Sequence, residues 1–259
     1  MLFLLLPVLV ILLMIYESFE RSLFIPEKSN TYGSLTYLNY YDKHYALFAN
    51  NLSAKCLIVS KGNIGDLNSA SHLLDTLDKY FEKVYDIYLY EYPGYGLLNE
   101  ETPSVQKCCE ELSWWINRMD CLYPSVNLYG YSLGGGITTN TLCNSELLSA
   151  GLTINNIYLQ STFSSINARI TDSSYLIGLL MKYKNIIDNE ENLKTITRDY
   201  VEANVWIMHS KNDKTISFRH CERLLKSNPK FNFIEIHGNH FTMAFENYNA
   251  GRAGDCNIL

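Results

Sequence analysis

The sequence has no C-x-x-C pair, no run of basic residues, no internal repeat and no low-complexity linker. Its seven cysteines (Cys56, Cys108, Cys109, Cys121, Cys143, Cys221, Cys256) form an odd set without zinc-ligand spacing. A zinc cage and a disulfide scaffold are therefore not indicated, and most of these residues read as small buried apolar side chains. Lys and Arg total 21 against 27 Asp and Glu, a net charge of −6, so the electrostatic footprint of a nucleic-acid binder is missing. What is present is apolar: 47% of the 259 residues are hydrophobic and 19% charged. That content excludes a disordered chain, and the length suits one α/β domain.

The apolar residues are unevenly spread. Met1 to Tyr16 (MLFLLLPVLVILLMIY) carries no charge and no polar side chain before its final tyrosine. Sixteen residues make about 24 Å of helix, short of the ~30 Å hydrocarbon core, so a span needs extension through Phe19, a thinned bilayer or a snorkelling Arg21. A secretory leader needs a basic start and a small-x-small cleavage site, and MIYESFERSLFIP offers neither. The expectation is an uncleaved membrane anchor over residues 1–19, a tether over 20–33, a catalytic domain over 34–250 and a tail over 251–259. Two modification signals point to opposite sides of such a membrane: the sequon Asn51-Leu52-Ser53, and the terminal C-a-a-X box Cys256-Asn257-Ile258-Leu259.

Beyond the tether, strand and helix patterns alternate. Ser34 to Tyr41, His44 to Ala49, Cys56 to Ser60, Val84 to Tyr90, Val126 to Tyr129, Ile154 to Gln160, Val205 to His209 and Phe231 to His237 read as strands. Asp66 to Tyr80, Ser104 to Met119, Gly134 to Leu148 and Phe218 to Leu225 read as helices, with Pro103 suiting a helix start. This order implies right-handed crossovers and a mostly parallel sheet covered on both faces. Thr162 to Tyr200 is too long for one crossover and is expected to hold extra helices, either a cap over the strand ends or ordinary packing helices.

Gly130-Tyr131-Ser132-Leu133-Gly134 fits G-x-S-x-G, in which a serine on a sharp strand-to-helix turn needs small residues two places to either side. With 22 Ser and 14 Gly, chance supplies about 0.06 such matches in a chain of this composition. The flanking strand and helix patterns fall in the order the turn requires, which makes Ser132 the candidate nucleophile. Its partners are expected downstream in the order acid, then base. Asp213 follows the strand Val205 to His209, and His240 follows the next strand, both just beyond strand C-termini. Asp172, His220, His209 and His237 are rivals on helices, in the insertion or at strand ends. The loop Ser60-Lys61-Gly62-Asn63 follows the third strand, where one backbone oxyanion donor belongs. Asn63 and Leu133 are the candidate pair of donors.

The ordered set VSKGNIGDL, EYPGYG, GYSLGGG, IMHSKNDKTI and EIHGNH resembles the α/β-hydrolase superfamily over about residues 34 to 245. It is most similar to the membrane-associated group that includes N-terminally anchored hydrolases and protein depalmitoylases. The resemblance implies an eight-stranded, mostly parallel α/β-hydrolase sheet with helices on both faces and a short insertion between strands six and seven. It also implies Ser132, Asp213 and His240 as nucleophile, acid and base. Three positions depart from the group's pattern: Lys61 for His, Ser210 for Gly after the acid strand, and Asn239 for Gly before the base. The expected activity is hydrolysis of an acyl ester or thioester, with a long-chain acyl or palmitoyl-protein substrate in view, at a membrane and without metal or organic cofactor. The alternatives are an inactive hydrolase-fold binding protein and a hydrolase of small soluble esters or peptides.

Overall fold

Short strands with apolar residues on both faces alternate with helices that carry polar caps. The computed structural model describes residues 18–31, 37–40, 43–174 and 186–242. Its strands are β1 (Tyr37–Tyr40), β2 (His44–Ala49), β3 (Cys56–Ser60), β4 (Asp86–Tyr90), β5 (Val126–Tyr131), β6 (Ile154–Gln160), β7 (Asn204–His209) and β8 (Asn232–Glu235). Its principal helices are α1 (Leu67–Tyr80), α2 (Val105–Asp120), α3 (Leu133–Cys143), α4 (Ile166–Ser173), α5 (Asn189–Asp199) and α6 (Phe218–Ser227). Side-chain oxygens of Asp66, Ser104, Ser165 and Asp188 accept the N–H three residues on and so start α1, α2, α4 and α5.

The strands form one sheet in the order β1-β2-β4-β3-β5-β6-β7-β8. β2 runs antiparallel to β1 and β4, and the remaining pairs are parallel. The chain moves from β3 outward to β4 and then returns to place β5 on the other side of β3, so the switch point of the sheet lies between β3 and β5. Open parallel sheets place their sites in that crevice, outside the strand C-termini. Alternation divides the core in two. Cys56 and Ile58 of β3 face a cluster with Leu112, Ile137, Leu193 and Leu224 from α2, α3, α5 and α6. Leu57 and Val59 face a second cluster with Leu67 and Leu77 of α1. The expected α/β-hydrolase architecture is the one observed, including helices α4 and α5 between β6 and β7.

Boundaries shift where local chemistry overrides apolar periodicity. β4 starts at Asp86 rather than Val84, because Val84 is exposed and its N–H closes a turn onto Phe81 O. α3 stops at Cys143 rather than Leu148, where Asn144 leaves helical geometry and a short 3-10 turn (Ser145–Leu147) follows.

The expected membrane anchor is corrected. No helix among the described residues is long and apolar enough to cross a membrane, and a single-pass localisation is not supported. Met1 to Tyr16 lies outside the described residues, as does the Cys256 box. The adjoining stretch, residues 18–31, is packed on the body. Phe19 and Leu23 lie against the core, Phe24 is buried against Tyr95, and the Glu20 carboxylate accepts the Val105 N–H at the start of α2. Ile25 pairs with Ile64 and Lys28 with Gly96 in parallel bridges. The sequon residue Asn51 also has its amide engaged, donating to Asp78 Oδ1 at 2.6 Å and to Tyr85 O at 2.8 Å.

Candidate active site

Ser132 sits between the last residue of β5 and the first of α3 with φ 54° and ψ −116°, a left-handed conformation that costs a non-glycine residue energy. Its backbone is held on both sides: its N–H donates to Gln160 O at 2.9 Å, and its carbonyl accepts Gly135 N–H at 3.1 Å and the Thr162 hydroxyl at 2.8 Å. The small flanking residues have a measurable cause. A Cβ on Gly134 would lie 2.0 Å from Ser60 O, and one on Gly130 would lie 2.5 Å from the Gly135 Cα.

His240 bridges the other two expected residues. Its Nε2 lies 3.1 Å from Ser132 Oγ and its Nδ1 lies 2.7 Å from Asp213 Oδ2. With the carboxylate as acceptor, Nδ1 carries the proton and Nε2 is free to accept from the serine hydroxyl. Asp213 is fixed in turn, its Oδ1 accepting the N–H groups of Thr215 and Ile216 at 2.8 and 2.9 Å. Burial alone would raise the Asp213 pKa. The hydrogen bonds from His240, Ile216 and Thr215 outweigh it and hold the carboxyl below its ordinary value.

The departures Ser210 and Asn239 have structural uses. Ser210 Oγ donates to Gly238 O at 2.6 Å and ties the acid loop to the base loop. Asn239 Oδ1 accepts the N–H groups of Phe241 and Thr242 and so forms the turn around His240. The Tyr131 ring stacks on His240 with centroids 5.4 Å apart, and its hydroxyl donates to His240 O at 2.5 Å. Behind Asp213, buried His209 donates from Nε2 to Ile216 O at 2.8 Å.

The oxyanion candidates border the serine from two directions. Leu133 is the first residue of α3, where a backbone N–H has no partner within the helix. The loop after β3 passes close by, since a Cβ on Gly62 would stand 3.8 Å from Ser132 Cβ and 3.2 Å from the Tyr131 ring. Asn63 is next in that loop. Its amide donates to Leu23 O at 3.0 Å, and its carbonyl accepts from Ile25 N–H at 2.9 Å and Tyr95 OH at 2.7 Å.

A second Ser–His–Asp grouping involves two of the rivals. His220 Nδ1 lies 3.1 Å from Ser164 Oγ, and His220 Nε2 lies 3.2 Å from Asp172 Oδ2. It is unsuited to nucleophilic chemistry. Ser164 is fully buried, whereas Ser132 keeps 8% of its surface exposed, and His220 Nδ1 already accepts the Ser164 backbone N–H at 3.1 Å. Burial pushes the His220 imidazole down to about 4, which makes it a weak base. His237 is exposed and takes no place at the site.

Sequence reasoning passed over Thr162 and the role of Tyr131, and weighed His209 only as a rival to the base. Thr162 lies two residues past the end of β6, so the strand-end rule that picked out Ser132, Asp213 and His240 would have flagged it. Burial raises the thiols of Cys56, Cys109 and Cys221 to about 12, which leaves them as neutral packing groups. Among the described residues no group of three or more His, Cys, Asp or Glu converges as a metal cage requires.

The strand order, the crossover helices and the turn at Ser132 define the α/β-hydrolase fold. No protein-family model matches the chain. A protein of Acanthamoeba polyphaga mimivirus, named as a candidate α/β hydrolase, is 26% identical over 183 residues. The match covers 69% of this chain and 62% of the relative, so the chain spans less than two thirds of that protein's length. An esterase of Pyrococcus furiosus superposes with a TM-score of 0.59 at 13% identity, covering 90% of this chain and 95% of its own. A lipase-esterase related protein of Clostridium acetobutylicum gives 0.57 at 17% identity, covering 81% and 97%. The mouse α/β-hydrolase domain-containing protein 10 gives 0.54 at 13% identity, covering 87% and 97%. At these identities the solved structures speak to the fold alone.

Proposed function

We propose that the chain is a serine hydrolase that cleaves carboxylic esters or thioesters through an acyl-enzyme. The observation that carries this reading is the continuous chain Ser132 Oγ, His240 Nε2, His240 Nδ1, Asp213 Oδ2, hung from a left-handed serine at the switch point of the sheet. In this mechanism His240 takes the Ser132 proton as Oγ attacks the acyl carbon, and Asp213 holds the imidazole in the tautomer that accepts it. The N–H groups of Asn63 and Leu133 bind the oxygen as it gains charge. His240 then protonates the leaving alcohol or thiol. Water, deprotonated by the same imidazole, attacks the acyl-enzyme to release the acid and restore Ser132.

Large apolar side chains at the edges of the site support a substrate with an apolar portion. Ile64, beside Asn63, is 53% exposed and Phe241, beside His240, is 68% exposed. The resemblance to depalmitoylases makes long-chain acyl thioesters one arm of the test and short p-nitrophenyl esters the other. Ser132→Ala is expected to lower ester turnover on the order of 10⁵- to 10⁶-fold while leaving the circular dichroism spectrum unchanged. Turnover equal to wild type in that variant would refute the assignment.

A further inference from the structure

The loop that carries Asn63 is held from beneath by a charged residue that never reaches solvent. Lys61 directly follows β3 and is 1% exposed. Its Nζ donates to Gly65 O at 2.5 Å, closing the loop on itself, and lies 3.5 Å from Glu91 Oε1, a carboxylate with 0% exposure. The same ammonium stands over the rings of Tyr95 and Tyr92, at 3.9 and 4.8 Å from their centroids. Glu91 follows β4, and its carboxylate also accepts the N–H groups of Leu67 at 3.0 Å and Tyr92 at 3.2 Å. The two tyrosines then reach back to the loop: Tyr92 OH donates to Lys61 O and Tyr95 OH to Asn63 O, each at 2.7 Å.

These bonds follow a pattern along the loop. The carbonyls of Lys61, Asn63 and Gly65 are each held by a side chain of this cluster. The Lys61 carbonyl belongs to the peptide before the Gly62–Asn63 link and the Asn63 carbonyl to the peptide after it. Both neighbours of the peptide that bears the Asn63 N–H are therefore pinned. Taking an ammonium and a carboxylate out of water is costly, and replacing such a pair by neutral groups often leaves stability intact, so a buried pair is weak evidence of a stabilising role. Burial draws the Lys61 pKa below the usual lysine value, with Glu91 pulling the other way.

We infer that Lys61 and Glu91 are positioning residues for the oxyanion site: they set the Lys61–Gly65 loop, through its carbonyls and the tyrosine cage, so that the Asn63 N–H meets the charge developing on the acyl oxygen. The inference rests on the proposed acyl-transfer reaction at Ser132. A misplaced donor weakens transition-state binding and leaves ground-state binding largely alone, so the effect belongs in kcat and in affinity for tetrahedral adducts.

The test uses the full chain with Lys61→Met, Glu91→Gln and the double variant, a p-nitrophenyl ester and a trifluoromethyl ketone that forms a tetrahedral adduct with the serine. The double variant leaves no unpaired buried charge. It is expected to melt within a few degrees of wild type and to keep KM within about twofold, while kcat falls and the ketone Ki rises together by roughly 10- to 100-fold. Tyr95→Phe removes the hydroxyl that donates to Asn63 O and accepts the Ile25 N–H, which keeps Asn63 O as a second acceptor; it is expected to show the same signature at about 3- to 10-fold and serves if the charge variants do not fold. Unchanged kcat and Ki in the double variant, or in Tyr95→Phe where that variant replaces it, would overturn the inference, as would a raised KM with kcat intact. Absence of wild-type turnover would overturn the acyl-transfer reading itself, an outcome distinct from an active wild type indifferent to Lys61.

Discussion

The proposed triad side of the site and its proposed oxyanion side are built by different means. Ser132, Asp213 and His240 stand within a few residues of the ends of β5, β7 and β8, and their orientation comes from turns there and from ties between adjacent strand ends: Thr215 and Ile216 on Asp213, Asn239 on the turn at His240, Gln160 and Thr162 on Ser132. The loop carrying Asn63 has its strand end as well, but its shape depends on distant partners. Asn63 is tied to Leu23 and Tyr95, and Lys61 to Glu91, contacts that exist only once β3 and β4 pair and residues 23–25 have docked. The groups proposed to move protons are placed by their own turns and by ties between neighbouring strand ends. The group proposed to stabilise charge is placed by ties to the N-terminal segment and to the turn after β4. Damage to the first should abolish chemistry, whereas damage to the second should grade it.

The largest effect that sharpens this contrast, after loss of Ser132 itself, is expected from Asp213→Asn. The amide no longer enforces the Nδ1–H tautomer of His240, and kcat should fall on the order of 10⁴-fold with the fold retained. A fall of less than tenfold would remove Asp213 from the triad. The same variant carries a pH signature. Because the folded carboxyl is held below its ordinary pKa of about 3.9, its contribution to stability is present above that value and is lost as pH falls through the folded pKa. Denaturant midpoints measured from pH 7 to pH 3 should show a component of acid destabilisation below about pH 4 in the wild type that Asp213→Asn lacks.

The smallest effect should come from the long-range side. Asn63→Ala keeps the backbone N–H but removes the amide's hydrogen bond to Leu23 O, and kcat is expected to fall about 3- to 10-fold with KM unchanged. A loss as large as that of Asp213→Asn would erase the distinction between the two sides.

The same division explains what was legible in the sequence. The placement of Ser132, Asp213 and His240 was readable because each residue follows a β-branched or aromatic strand run, and the glycines at 130 and 134 mark a turn that no larger residue fits. The sheet was readable for the same reason, down to the residues of β2, β3 and β6. Glu91-Tyr92-Pro93-Gly94-Tyr95-Gly96 reads as a rigid turn from its own composition, but the use of Tyr92 and Tyr95 as a cage for Lys61 depends on β3 lying beside β4. The N-terminal reading went astray through the apolar run of residues 1–16. Its sheer hydrophobicity drew residues 18–31 into an anchor and a tether, whereas Phe24 and Ile25 make their contacts with the turn at Tyr95 and the loop at Ile64. No local pattern announces a partner forty or seventy residues away.

Everything turns on which serine reacts, and among the described residues the hydroxyls of both Ser132 and Ser164 lie 3.1 Å from an imidazole nitrogen. The most direct measurement is to treat the wild-type protein with a fluorophosphonate, digest it and locate the added mass by peptide sequencing in the mass spectrometer. A single stoichiometric adduct on Ser132 is expected. An adduct on Ser164, or none on a folded protein, would contradict it.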